Sequence, residues 1–215
     1  MQQLLTGKKR LPGFSGGWEV KKLGELGSFS KGKGLPKKDI IFSGNLRAIP
    51  YTAIYTDFDE VINYRQINTF TSSTDLVVIN SPHLLIASSS NMLENIGKVT
   101  AYNDNAEVAV GGDIILYKTT VDICFISYLL NTQLHRNKII FLSQGSTIRH
   151  VYASTFANYE IKLPRIEEQT AIASVISDMD TEIDGLEQKR DKYKAIKQGM
   201  MQELLTGKTR LIKEN

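Results

Sequence analysis

Features typical of secreted, membrane-spanning or metal-binding proteins are scarce in this sequence of 215 residues. The single cysteine, Cys124, excludes an intramolecular disulfide and fits a reducing compartment. No apolar run is long enough to cross a bilayer, and Met1–Arg10 lacks the apolar stretch of a signal peptide, so we expect a cytoplasmic protein without a membrane partner. His83, His135 and His150 are dispersed and have no cysteine or acidic partners at metal-ligand spacing, so no metal site is predicted.

Signs of catalysis are also few. A cofactor-binding methyltransferase would need a glycine-rich turn between a strand and a helix, but Gly111-Gly112-Asp113 precedes a predicted strand and indicates a turn. Asn80–His83 (NSPH) lacks the second proline and the aromatic residue of an amino-methyltransferase loop. Cys124 lies in an apolar stretch and fits a packed core residue better than a nucleophile. We therefore expect no catalytic residues and no cofactor bound by this chain.

The charge is unevenly distributed along the chain. Residues 167–206 hold nine acidic and five basic residues, net −4, whereas the remainder holds fourteen and twenty-one, net +7. A basic segment favours a polyanionic partner. The part outside residues 167–206 is therefore the candidate for nucleic-acid binding.

The sequence also repeats itself at a distance of 200 residues. Residues 1–11 read MQQLLTGKKRL and residues 201–211 read MQELLTGKTRL, with nine identities in eleven positions. A repeat at this spacing matches one domain plus a connecting helix, as in a two-unit array that begins with the end of a preceding unit. The alternative is a recombination or cloning scar, which still requires tandem units in its source.

Pattern and turn signals predict an α+β fold: a globular mixed α/β domain followed by a long C-terminal coiled-coil helix. We expect the tail of a preceding helical region and a linker at 1–14, the globular domain at 15–163 and the long helix at 164–215. Within the domain, short β-branched runs predict strands and one apolar period predicts a helix at Val121–Lys138. The predicted strands are Asp75–Asn80, Leu84–Ala87, Val108–Val110, Asp113–Tyr117 and Asn158–Leu163.

The C-terminal helix carries a heptad seam that needs a partner helix. Its apolar residues follow alternating steps of four and three when Arg190 and Lys197 fill the gaps, which is the spacing of a coiled coil. Because the repeat links the end of one such helix to the start of the next domain, two helices satisfy the connection only if they run antiparallel. We expect an antiparallel homodimer. The predicted seam comprises Ile172, Ile176, Met179, Ile183, Leu186, Tyr193, Met200 and Leu204.

Together these features resemble half of the specificity subunit of a type I restriction-modification enzyme. The segment Gly17–Gly34 (GWEVKKLGELGSFSKGKG) is similar to the start of the family's target-recognition domain. The passage Gln144–Asp184, with Leu163-Pro164 and Glu168-Gln169, resembles the transition into the family's conserved helix, and residues 194–211 resemble the end of that helix. The usual subunit has two recognition domains and two helices, whereas this chain has one of each.

The resemblance implies a non-catalytic subunit that reads one half of a split target in double-stranded DNA. It implies docking to a modification subunit, which binds S-adenosylmethionine and methylates adenine, and to a restriction subunit. The rival interpretation from another class is a coiled-coil assembly module or decoy that never reads DNA. It accounts for the helix but not for the basic domain, and retention on heparin or duplex DNA would distinguish the two.

Two basic or polar loops and a third group are candidate DNA contacts. Lys21–Lys38 holds six lysines and one acid with interleaved glycines, which fits phosphate contacts, although a solvated basic loop gives the same pattern. Gln144–His150 offers amide, hydroxyl and guanidinium groups that can read base edges, although Gly145 and Thr147 also fit a structural turn. Arg47–Tyr55 and Ser88–Asn91 form the third group. The predicted contacts are Lys31, Lys33, Lys37, Lys38, Arg47, Tyr51, Gln144, Ser146, Thr147 and Arg149.

Overall fold

A computed structural model describes Gln2–Thr209 and divides the chain into two compact units, one up to Ala173 and one from Ser174. The described helices are α1 Gln2–Leu5, α2 Leu23–Leu26, α3 Ala53–Thr56, α4 Ile123–Leu130, α5 Gln133–Leu142, α6 Ala153–Ala157 and α7 Ile166–Leu205. The described strands are β1 Glu19–Lys22, β2 Gly27–Lys31, β3 Ile40–Ile41, β4 Leu46–Ile49, β5 Val61–Ile62, β6 Phe70–Thr71, β7 Val77–Ile79, β8 His83–Ala87, β9 Ser89–Ser90, β10 Val99–Tyr102, β11 Val108–Val110, β12 Ile114–Thr119, β13 Arg149–His150 and β14 Glu160–Leu163. The mixed α+β class and the long C-terminal helix are confirmed.

Two five-stranded sheets share the main core of the first unit. Their strand orders are β2-β12-β8-β10-β5 and β3-β6-β4-β11-β7. Ile49 and Val108 from one sheet and Leu85 and Leu116 from the other belong to the same apolar cluster. Helix α4 packs against β8 and β10. Successive side chains of a strand point to opposite faces, so a strand is buried along its whole length only when both of its faces are covered. Strand β8, which contacts both the apolar cluster and α4, is buried at every residue.

The single helix predicted at Val121–Lys138 is two helices, α4 and α5. The break falls at Asn131, whose side chain binds the main chain of β10: Nδ2 donates to the Val99 carbonyl oxygen at 2.6 Å, and Oδ1 accepts from the Val99 amide at 3.2 Å. Such side-chain bonds to the backbone compete with continued helix. Within α4, burial together with nearby Asp122 raises the pKa of the Cys124 thiol to about 12, which supports a packed residue rather than a nucleophile.

Strands β1 and β14 form a separate antiparallel pair that joins the start and the end of the domain. Glu19 lies opposite Leu163, and Lys22 lies opposite Glu160. The chain therefore enters and leaves the domain side by side, immediately before α7 begins.

Helix α7 is 40 residues long, about 60 Å at roughly 1.5 Å per residue. It begins at Ile166, and its first turns, up to Ala173, belong to the first unit. Gln169 Nε2 donates to the Pro164 carbonyl oxygen at 2.9 Å, and Gln169 Oε1 accepts from the Asp122 amide at 3.1 Å. Among the described residues, no helix is both long and apolar enough to cross a membrane.

The predicted coiled-coil seam is shorter at its N-terminal end than the heptad pattern suggested. Ile172 and Ile176 are fully buried within the chain, so they are not available to a second helix. The remaining predicted seam residues are between 39% and 59% exposed: Met179, Ile183, Leu186, Tyr193, Met200 and Leu204. The surface on which a partner helix could pack therefore begins at Met179.

Candidate nucleic-acid interface

The polar loop predicted to read DNA is exposed and has a fixed backbone. The amide of Gln144 donates to the carbonyl oxygen of His150 at 2.9 Å, and the reverse bond measures 2.7 Å. Gly145 has φ +112°, and a Cβ there would collide with the carbonyl oxygen of Ile148. The position therefore requires glycine, as the structural-turn interpretation of Gly145 predicted. The side chains of Gln144, Ser146 and Thr147 are exposed on this loop.

Arg149, the predicted guanidinium reader, instead binds the end of α5. Its Nε donates to Ser143 Oγ at 2.7 Å, and its Nη2 donates to the Ser143 carbonyl oxygen at 2.7 Å. Nη2 also approaches the carbonyl oxygen of Ile140 at 3.5 Å. A cation at this place donates hydrogen bonds to the free carbonyl groups of a helix C-terminus and is attracted by the negative end of the helix dipole. Arg149 thus holds the loop against the domain.

The structure brings the Ser88–Asn91 run to the same loop, but buries most of it. Strand β13 pairs with β9, so that Arg149 lies opposite Ser90 and His150 lies opposite Ser89. Ser88, Ser89 and Ser90 are each only 5% exposed. Ser88–Ser90 are therefore too buried for the DNA contacts predicted for them: Ser89 and Ser90 pair with β13, and the Ser88 carbonyl oxygen accepts from the Val151 amide at 3.0 Å. Asn91 is exposed.

A cavity of about 280 Å³ is lined by residues of both this loop and strand β2, which ends at Lys31. Its lining includes Lys31, Ser88, Asp113, His150 and Tyr152. Lys31 Nζ lies 3.5 Å from Asp113 Oδ1, and both side chains are exposed. Tyr152 is 49% exposed and was not predicted, although an aromatic residue two positions after the polar loop was a usable signal. An exposed aromatic residue and an exposed cation, Tyr152 and Lys31, therefore line one cavity beside the loop.

The other three predicted lysines lie on the segment that follows β2. Lys33 Nζ is 2.5 Å from Asp75 Oδ1, an exposed pair of the kind that contributes little to stability. Lys37 and Lys38 lie in an exposed 3₁₀ turn, Lys37–Asp39. Within Gln2–Thr209, neither forms an ion pair, so both charges are open to a phosphate.

Arg47 and Tyr51 are placed mainly in packing roles. The Arg47 guanidinium lies 4.7 Å from the ring centre of Tyr64 and 5.2 Å from that of Phe70, and it donates to the carbonyl oxygen of Ile67. Tyr51 packs edge-on against Tyr55 with ring centres 6.2 Å apart. Both residues are partly buried, which leaves them little freedom to follow a DNA groove.

Comparison with known proteins gives a consistent match over most of the chain. Residues 15–196 match the family model described as type I restriction modification DNA specificity domain. A curated relative, the type I restriction enzyme MjaVIII specificity subunit of Methanocaldococcus jannaschii, is 23% identical over 202 residues, which is 90% of this chain and 47% of that protein.

Two solved structures share the fold. The S subunit of a type I restriction-modification system from M. genitalium has a TM-score of 0.56 at 18% identity, covering 84% of this chain and 43% of that one. The HsdS subunit from Thermoanaerobacter tengcongensis has a TM-score of 0.52 at 16% identity, covering 94% and 49%. The chain therefore spans about half the length of each of these three proteins.

Proposed function

Because the chain belongs to the type I restriction-modification DNA specificity family, we propose that it is a DNA specificity subunit that reads one half of a bipartite target. The observation that carries the proposal is the exposed loop Gln144–Ile148, whose backbone is fixed by two main-chain hydrogen bonds and a required glycine. A fixed backbone presents side chains to base edges at low entropic cost. The single domain would recognise one half-site, and the single helix would hold it apart from a second domain.

Base recognition is proposed for Gln144, Ser146 and Thr147. A carboxamide can bind adenine N6 and N7 together, and hydroxyl groups accept or donate at several base edges. Arg149 is proposed to position this loop, because its Nε and Nη2 already bind Ser143. Tyr152, beside the loop, is proposed to contact the sugar-phosphate backbone, as tyrosine hydroxyls do.

Phosphate contact is proposed for Lys31, Lys33, Lys37 and Lys38. Lys37 and Lys38 supply the strongest argument, since both are exposed and have no ion pair in the described part of the chain. Lys31 and Lys33 would exchange exposed carboxylate partners for phosphate. Such contacts give affinity that falls with salt and does not depend on sequence.

The helix is proposed to pair with the helix of a second copy in antiparallel orientation, and the complex to dock a modification and a restriction subunit. The exposed apolar residues from Met179 to Leu204 support this, because a lone helix cannot bury them. No catalysis is proposed for this chain. S-adenosylmethionine would be bound by the modification subunit.

Co-purification with a modification subunit from the same system, followed by mapping of methylated adenines, tests the proposal. Two identical readers related by a two-fold axis should direct methylation to a bipartite palindromic site. The matched control is the same complex carrying Gln144→Ala and Thr147→Ala, which should lose that motif while still co-purifying. A non-palindromic motif in cells without another specificity subunit would contradict the symmetric arrangement. Co-purification without any DNA retention on heparin or duplex columns would favour the assembly module or decoy.

A further inference from the structure

The two copies of the eleven-residue repeat adopt the same local structure. In the first, the amide of Gly7 donates to the Leu4 carbonyl oxygen at 3.2 Å and Gly7 has φ +68°. In the second, Gly207 donates to Leu204 at 3.2 Å and has φ +70°. A glycine in the left-handed region after a final helical turn is a common helix C-cap. One local fold is therefore encoded twice.

The surroundings of the two copies are opposite. Leu5 is 3% exposed, whereas the matching Leu205 is 81% exposed. Every residue of the second copy that the structure describes, Met201–Thr209, is exposed. The second copy thus has the shape of the first without a surface that covers it.

The first copy is docked on a definite surface of the domain, which we name the cap site: Gly16, Trp18, Glu168 and helix α4. Gly7 faces the Trp18 ring, where a Cβ would lie 3.2 Å from Cε2. Arg10 forms a bidentate ion pair with Glu168, with Nη2 2.6 Å from Oε2, and its Nη1 donates to the Gly16 carbonyl oxygen at 2.6 Å. Helix α1 packs against α4.

The two differences between the copies avoid the docked face. Gln3, which is Glu203 in the second copy, is exposed, and so is Lys9, which is Thr209. The buried leucine, the glycine at the Trp18 ring and the paired arginine recur unchanged: Leu5 as Leu205, Gly7 as Gly207 and, in the sequence, Arg10 as Arg210, which lies outside the described residues. Whatever binds the first copy would meet the same apolar, glycine and cationic groups in the second.

We propose that the cap site also accepts the C-terminal copy, residues 201–211, of a second molecule of this chain, and that the first copy competes with it. This deepens the self-association in the proposed function. The docked first copy is tethered to its own domain, so its effective concentration is of millimolar order. Exchange between the tethered and the incoming copy then sets the strength of association.

A peptide titration tests the cap site separately from DNA recognition. Trp18 is the only tryptophan, so its fluorescence reports occupancy. The probe is an acetylated and amidated peptide of residues 201–211, and the Leu5→Asp chain removes the buried anchor of the tethered copy. We expect saturable binding to Leu5→Asp at about tenfold lower peptide concentration than to wild type, since the competitor is weakened. The control peptide carries Leu205→Asp and should give no saturable change.

Two results would overturn the proposal. One is a folded Leu5→Asp chain without a saturable Trp18 response up to about 1 mM peptide, the range set by the tethered competitor. The other is an equal response to both peptides. If Leu5→Asp fails to fold by circular dichroism, Arg10→Ala keeps Leu5 buried and must show the same order of affinities, because the peptide supplies Arg210.

Sedimentation of the full-length chains distinguishes competition from a shared contact. Leu205→Asp should weaken self-association, and Leu5→Asp should strengthen it. If Leu5→Asp instead weakens self-association, the first copy contributes to the contact between molecules and does not compete, and the proposal fails.

Discussion

Arg149→Ala is the substitution that best separates a loop-positioning role from base reading. In the structure, the guanidinium makes two hydrogen bonds of 2.7 Å to Ser143, and it sits at the C-terminus of α5. Hydrogen bonds to charged groups contribute about 1.5–3 kcal/mol each in favourable cases, and a cation at a helix C-terminus about 0.3–1 kcal/mol. Because Arg149 is partly exposed, solvent reduces these contributions, and we expect a loss of about 2 kcal/mol in unfolding free energy.

Urea denaturation followed by circular dichroism measures this loss. With a denaturant dependence of about 2–3 kcal/mol per molar urea, the midpoint should fall by about 0.7–1 M. Arg149→Lys should recover only part of the stability, since an ammonium cannot reproduce the planar donor geometry. The control is Arg165→Ala, an exposed arginine, which should change the unfolding free energy by less than about 0.5 kcal/mol.

Titration of the same variants on DNA duplexes tests the alternative, in which Arg149 reads a base. If Arg149 reads a guanine, Arg149→Ala should leave the unfolding midpoint unchanged and weaken binding to the cognate duplex by about 1–3 kcal/mol, but not to a scrambled one. That combination would refute the positioning role and return Arg149 to the readers.

Sequence periodicity predicted the elements whose signal is local. Helix α7 was predictable because its apolar spacing continues for many turns, and β11, Val108–Val110, because it is short and β-branched. The break between α4 and α5 was missed because its cause is distant in sequence. Asn131 leaves the helix pattern to bind Val99, 32 residues earlier, and no local signal identifies that partner.

The candidate site shows the same division. Composition and glycine placement identified Gln144–His150 as an exposed polar loop, but not which of its side chains the domain would use. The Arg149 guanidinium donates hydrogen bonds to Ser143 and Ile140, whereas the side chains of Gln144 and Thr147 are exposed. The donor types were therefore predictable, and their partners were not, because hydrogen-bond partners are fixed by tertiary packing.

The prediction that Ile172 and Ile176 belong to the intermolecular seam was wrong for a related reason. Ile172 and Ile176 follow the same four-three spacing as Ile183 and Leu186, yet the first pair is buried and the second is about half exposed. A heptad pattern specifies which face of a helix is apolar but not which surface covers it. Ile172 lies in the first turns of α7, which belong to the first unit, and the heptad pattern gives no sign of that tertiary packing.

The exposed helix seam and the two exposed loops can each be tested by substitution. Changing Ile183 and Leu186 together to Asp should convert a dimer to monomers in light scattering, because both changes would place charge in the proposed seam. The control, Glu187→Ala, should leave the dimer intact. A wild-type chain that is monomeric at micromolar concentration would contradict the seam. Lys37→Ala should weaken binding similarly on all duplexes and reduce the slope of log affinity against log salt by about one, because one phosphate contact is lost. Gln144→Ala should cost about 1–3 kcal/mol on the cognate duplex and much less on a scrambled one, because a carboxamide on a fixed loop can bind one adenine through two atoms. Fluorescence anisotropy at two salt concentrations measures both binding predictions, and an equal loss for Gln144→Ala on cognate and scrambled duplexes would assign that side chain to the DNA backbone.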